Sequence, residues 1–163
     1  DCTKQWEEAV DQIATLGIRL AKVRIGLVMG TAGGIFPVIS KPIRYYVGAN
    51  LGSGKQWQSW IHINDLVRIF NELLINSSLS GTYNGVAPEP IRAGEMNKQI
   101  AKALHRPFFL PAIPGFLLRL VLGEMACLVL GGSRVSSAKI EKDAAFSFTF
   151  VRFEEALKEL VHV

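Results

Sequence analysis

Hydrophobic and polar positions change period once, abruptly, within residues 55–74, KQWQSWIHINDLVRIFNELL. Trp57, Ser59, Ile61 and Ile63 alternate with Gln56, Gln58, Trp60 and His62, which is the two-residue period of a strand. From Asn64 the period lengthens. Leu66, Val67, Ile69, Phe70, Leu73 and Leu74 fall on one face of a helix, which predicts an N-cap at Asn64 or Asp65. In that position Asp65 is expected to stabilise the helix terminus by on the order of 1 kcal/mol. Gly48, Gly52 and Gly54 lead into the strand, so the backbone there can pass close to a ligand or to another segment.

Patterning elsewhere predicts further elements. Trp6, Ala9, Val10, Ile13, Ala14 and Leu16 form a helical stripe that Gly17 stops. Residues 18–29, IRLAKVRIGLVM, suit a buried parallel strand. Helix, glycine turn and buried strand together are an αβ step of a doubly wound sheet. Residues 31–51, with Pro37 and Pro42, predict a loop-rich connection whose apolar side is Ile35, Phe36, Val38, Ile39 and Ile43. Arg44, Tyr45 and Tyr46 in it either line a pocket or pack. Residues 81–88 read as a short strand ending in a turn, 91–104 as a second amphipathic helix with Met96 and Ile100 inward, and 108–110 as a brief strand. After Pro114, the residues Phe116, Leu117, Leu120 and Val121 recur at helical spacing. Short helices follow at 124–130 and 136–143, then alternating Phe146, Phe148 and Phe150, then a closing helix over 153–161.

Composition adds two constraints. At 49% hydrophobic residues and a mean hydropathy of +0.25, the chain is apolar for its size. Its greasiest run, 116–130, is broken by Arg119 and Glu124, so no membrane span is expected. No initiator methionine or secretory signal opens the sequence. The expectation is a fragment whose exposed apolar surface a missing N-terminal segment or a partner chain covers. The net charge of +4 is spread without a run of four basic residues, which predicts no nucleic-acid partner. Cys2 and Cys127 form no CxxC pair and fit a reducing, cytoplasmic setting.

Little in the sequence carries chemistry by motif alone. Gly52-Ser53-Gly54-Lys55 fails the Walker pattern at Ala49 and Gln56, although its amides and lysine suit an anion. No GxGxxG follows a strand, so the dinucleotide pyrophosphate site is expected upstream of this chain. His62, His105 and His162 lack metal-ligand spacing, and no metal is expected. His62 either orients a loop by hydrogen bonding or, facing a cleft, serves proton transfer or anion recognition.

W-I-H-I-N-D-L, residues 60–66, resembles a signature of the extended short-chain dehydrogenase/reductases, the NAD(P)-dependent epimerase/dehydratase superfamily. Arg24, Val28 and Gly30 match that family's R-x-x-x-V-x-G strand, and Cys2, Trp6 and Glu7 narrow the resemblance to its YfcH-type branch. Gly33-Gly34, the 48–54 loop, N-G-V-A-P at 84–88 and A-L-H-R-P at 103–107 extend it in register over nearly the whole chain. The resemblance implies an α/β fold: the C-terminal part of a Rossmann-type parallel sheet over 1–107, then a small, mainly helical substrate domain over 108–163. It implies an NAD(P)-dependent, sugar-nucleotide-epimerase-like oxidoreductase with NADP or NAD as cofactor and a small-molecule substrate. The alternative is a non-catalytic NADP-binding sensor or scaffold. That alternative arises because the superfamily's catalytic Tyr–Lys pair is missing. The first tyrosine is Tyr45, and the helix that would carry the pair holds Cys2 and Trp6. No catalytic residue is carried over.

On the cofactor side the expected residues are Arg24, Gly26, Val28 and Gly30, with an ion pair as the other role for Arg24. On the substrate side they are Lys55, Gln56 and His62, with Arg134 as an anion clamp or a structural cation. Val28, Gly30, Lys55, Gln56, His62 and Arg134 are expected to border one concavity beyond the carboxyl end of the strand. One departure from the family stands at Ala145, where relatives place glycine. A left-handed backbone is disfavoured there, so a different local turn is expected.

Overall fold

The computed structural model describes residues 2–162, without the side chains of residues 2, 3, 122, 125, 128, 129 and 162. Helix α1 (Cys2–Asp11) passes through a 3-10 turn (Gln12–Leu16) to Gly17, whose φ of 74° ends it. An extended run then changes partner midway. Its first half, β1 (Ala21–Ile25), lies parallel to β5 (Gly81–Gly85), and its second half, β2 (Leu27–Met29), lies parallel to β4 (Trp60–His62). At the handover the Gly26 amide donates to the Gly85 carbonyl at 3.1 Å and the Leu27 amide to the Ser59 carbonyl at 2.8 Å. A Cβ on Gly26 would lie 2.5 Å from the Ser59 oxygen, so glycine lets the two segments touch.

The expected parallel strand is therefore present, but it is buried only at its end, Met29. Among the described residues β1 pairs on one edge only, and Ile18 and Ile25 are exposed. The α1 stripe is likewise open at Trp6 and Leu16, and its carboxylates hold the strand instead, Asp11 to Lys22 and Glu7 to Arg24.

A second pairing joins β3 (Trp57–Gln58) antiparallel to β6 (Ile91–Arg92). The strand expected through 56–63 is thus split at Ser59. The Ser59 hydroxyl donates to the Ser133 carbonyl and accepts from the Val135 amide. Helix α2 (Phe36–Arg44) replaces the expected loop. Pro37 sits in its first turn, where a missing N–H does no harm, and Phe36, Ser40 and Ile43 face inward at helical spacing. Residues 108–110 form no strand.

The remaining helices are α3 (Ile63–Ile75), α4 (Ala93–Ala103), α5 (Gly115–Leu122), α6 (Ala126–Leu130), α7 (Ala138–Ala144) and α8 (Phe153–His162). Two of the predicted stripes are only partly used. In α3, Leu66, Ile69 and Leu73 are buried while Val67, Phe70 and Leu74 face out; in α5, Phe116, Leu120 and Val121 face out. One core gathers Met29, Trp60, Met96 and Ile100 with Phe153, Leu157 and Leu160. The other gathers Ile61, Leu66, Ile69 and Tyr83 with Ile140 of α7. Both cores therefore draw on residues from either side of position 107.

Ala145 closes α7 with φ 48° and ψ 33°. The left-handed turn forms even without glycine, at the expense of a Cβ–carbonyl clash of roughly 1–2 kcal/mol. Ala145→Gly is expected to raise stability by about 1 kcal/mol, read as a higher urea midpoint. A lower midpoint would refute strain at this position.

Candidate functional site

The period change in the sequence coincides with a structural junction. Trp60 at the end of the chain's central pairing is fully buried; its indole N–H donates to the Glu89 carbonyl at 2.9 Å and its ring meets Phe153 edge-on at 5.1 Å. His62, 2% exposed, is the N-cap of α3, and its Nδ1 accepts from the Asn64 amide at 3.3 Å. Its ring lies 4.2 Å from that of Phe150, and its Nε2 lies 3.9 Å from Glu159. Asn64 donates to the same carboxylate.

Asp65, 0% exposed, is not the cap predicted for it. Its oxygens accept from the Thr149 amide at 3.0 and 3.1 Å, the Phe150 amide at 2.9 Å and Arg68 at 2.8 Å. Arg68 also donates to Thr149 Oγ1 and to the Ser147 carbonyl. The motif therefore clamps the extended segment between α7 and α8 onto the sheet.

Burial holds the His62 pKa below its ordinary value of 6.5, against the opposing pull of the Glu159 and Asp65 charges. A capping Nδ1 must be unprotonated, which agrees with a neutral ring. The unfolded chain takes up the proton at the ordinary pKa while the folded chain resists it. Stability is thus complete above about pH 6.5 and falls as pH drops from there towards the lowered folded value. His62→Asn should flatten this acid-side slope in urea midpoints compared between about pH 5 and about pH 8. An unchanged slope would assign the titration to another group.

Beside this junction lies a cavity of about 430 Å³ bounded by Leu27, Ile35, Val38, Ile39, Gln58 and Met96, with Gln56, Asn97 and Ile113 also at its wall. The loop into β3 closes one side: the Gly52 amide donates to Ile113, and the Ile113 amide to Asn50. Gly54 passes so close to Gly94 of α4 that a Cβ would crowd its Cα at 3.2 Å. The glycines of this loop thus serve chain-to-chain approach. On the other side of α2 a cavity of about 610 Å³ is bounded by Thr31, Ser40, Lys41, Arg44, Arg106 and Leu160, among others.

The structure does not gather the six expected residues around one concavity. Gln56 lines the 430 Å³ apolar cavity, with its side chain donating to the Leu51 carbonyl at 2.9 Å. His62 is sealed in the core as a cap, because the helix start needs its acceptor there. Arg134 lies over the Trp57 ring at 5.3 Å, and Arg92 lies over the same ring at 4.3 Å. Lys55 is exposed, and its carbonyl accepts from Arg92. Gln58, which shares the alternating set of Gln56, was not among the expected residues and lines the cavity too.

The cofactor-side residues are occupied by the fold. Arg24 makes a two-pronged pair with Glu7 at 2.7 and 2.6 Å, which raises its own pKa and lowers that of Glu7. Gly26 donates to Gly85, the Val28 carbonyl accepts from Ile35 at 2.9 Å, and Gly30 packs against Gly33 and Ile63 in the turn after β2. These residues alone form no cradle that fits a dinucleotide. Among the described residues no group of three or more His, Cys, Asp or Glu is placed to hold a metal, and no helix is long and apolar enough to cross a membrane. Cys127 is a free, exposed thiol.

Residues 113–160 match a domain of unknown function, DUF1731. Over 158 residues the chain is 39% identical to the chloroplastic epimerase family protein SDR39U1 homolog of Arabidopsis thaliana, covering 97% of this chain and 45% of the relative. It superposes on the crystal structure of human epimerase family protein SDR39U1 with NADPH at a TM-score of 0.82 and 32% identity, over 88% of this chain and 48% of that one. It also superposes on a nucleoside-diphosphate sugar epimerase of Corynebacterium glutamicum at a TM-score of 0.75 and 26% identity, over 98% of this chain and 30% of that one. The chain spans about half the length of the curated relatives it matches.

Proposed function

We propose that this chain, homologous along nearly its whole length to the C-terminal part of the epimerase family proteins, supplies the substrate-facing half of an NAD(P)-dependent epimerase-like oxidoreductase. The observation that carries the reading is the superposition of 88% of this chain on the crystal structure of the human relative with NADPH, at a TM-score of 0.82. In this reading NADP or NAD is held mainly by a preceding Rossmann half, and the small-molecule substrate enters the cavity beside Gln56 and Gln58. The open edge of β1 and the exposed apolar faces of α1 and α3 support the same division. A neighbouring segment, or a partner chain, covers these surfaces and brings the dinucleotide site with it.

A second reading is a non-catalytic NADP-binding sensor, and the residues it draws on are Cys2 and Trp6 in α1, where the superfamily's Tyr–Lys pair was expected. The two readings part in one experiment on a polypeptide carrying this chain together with a dinucleotide-binding half. NADPH is bound and a panel of small carbonyl compounds and sugars is offered, with nicotinamide absorbance followed. Substrate-dependent oxidation supports the enzyme. Tight NADPH binding with no turnover over the panel supports the sensor.

A further inference from the structure

The α2–β3–α4 cavity has a chemistry unlike that needed for a sugar nucleotide. Among the described residues no lysine, arginine, aspartate or glutamate lines it. Its polar side chains are Gln56, Gln58 and Asn97. Gln56 donates to Leu51 and Asn97 to Asn50. Gln58 makes no side-chain hydrogen bond among the described residues, which leaves its carboxamide to read a ligand. The nearby cations are directed elsewhere. Lys41 and Arg44, on the same helix as Val38 and Ile39, border the cavity on the opposite side of α2. Arg92 and Arg134 lie over the Trp57 ring.

The mouth is apolar as well. Val38 and Val47 line the cavity yet are 64% and 62% exposed. A diphosphate entering here would lose water without meeting a cation, whereas an apolar molecule would cover hydrocarbon that now faces solvent.

We propose that this cavity binds an uncharged, mainly apolar small molecule, held by contact with Leu27, Val38, Ile39, Val47 and Met96 and oriented by the Gln58 carboxamide. The assignment rests on the reading of the cavity as the substrate site. It narrows the substrate class away from nucleoside-diphosphate sugars. One or two hydrogen-bonding groups on the ligand suffice, since the Gln58 amide offers donors and an acceptor.

The test uses the neutral fluorophore N-phenyl-1-naphthylamine with the 163-residue chain, and UDP-glucose as competitor. Expected are saturable binding at one site, no displacement by UDP-glucose, and about tenfold weaker binding in Val38→Arg and in Val47→Arg. Both positions are exposed, so both variants should fold, which circular dichroism verifies. Leu120→Glu, on the exposed face of α5, should leave the affinity unchanged. Displacement by UDP-glucose would overturn the proposal. So would the absence of saturable binding, or binding lost in Leu120→Glu and retained in the two arginine variants. Failure of the enzyme reading is seen separately: fluorophore bound in the cavity, with no substrate-dependent NADPH oxidation by the polypeptide that also carries a dinucleotide-binding half, defeats that reading and leaves the ligand class standing.

Discussion

Asp65→Ala is expected to remove about 3–5 kcal/mol of stability, several times what a helix cap contributes. The carboxylate is fully buried and accepts from two successive backbone amides, Thr149 and Phe150, and from Arg68. Alanine would leave the buried Phe150 amide without an acceptor and release Arg68, which also anchors Ser147 and Thr149. The segment between α7 and α8 would then lose its attachment to α3. Asp65→Asn keeps one carbonyl oxygen and should fall between the two, at about 1–2 kcal/mol. Urea denaturation reads both. Loss of about 1 kcal/mol or less in the alanine variant would restore the simple capping role.

Trp60→Ala should be comparably severe, at about 3–5 kcal/mol, because the ring is fully buried where β4, α8 and the segment after β5 meet. It would open a cavity facing Phe153 and leave the Glu89 carbonyl without its donor. Trp60→Phe retains an edge-on aromatic contact and loses the hydrogen bond, which should cost about 1–2 kcal/mol. Equal losses in the two variants would mean that the hydrogen bond, not the packing, dominates.

The helices, the parallel strand and their order were legible because each is encoded by spacing within a short window. The role of Asp65 was not, since Thr149 and Phe150 lie 84 and 85 residues away and no local pattern points to them. Pro37 and Pro42 masked α2, although Phe36, Ser40 and Ile43 carried its spacing. Alternation placed Gln56, Gln58, Trp60 and His62 on one side. The break at Ser59 sends the first two to the cavity and the last two into the core. Periodicity found the apolar faces of α1, α3 and α5 but not what they face, because that depends on which element lies opposite. The cavity itself was hidden for the same reason: its wall comes from β2, α2, the loop into β3, α4 and Ile113.

In the proposed function this chain holds the substrate side of the site and not its dinucleotide cradle. Calorimetric titration of the 163-residue chain with NADPH tests it most directly. The Gly26 amide is engaged by Gly85, the Val28 carbonyl by the Ile35 amide, and Arg24 is paired with Glu7, so no micromolar binding is expected. A saturating one-to-one isotherm with micromolar affinity would contradict the account.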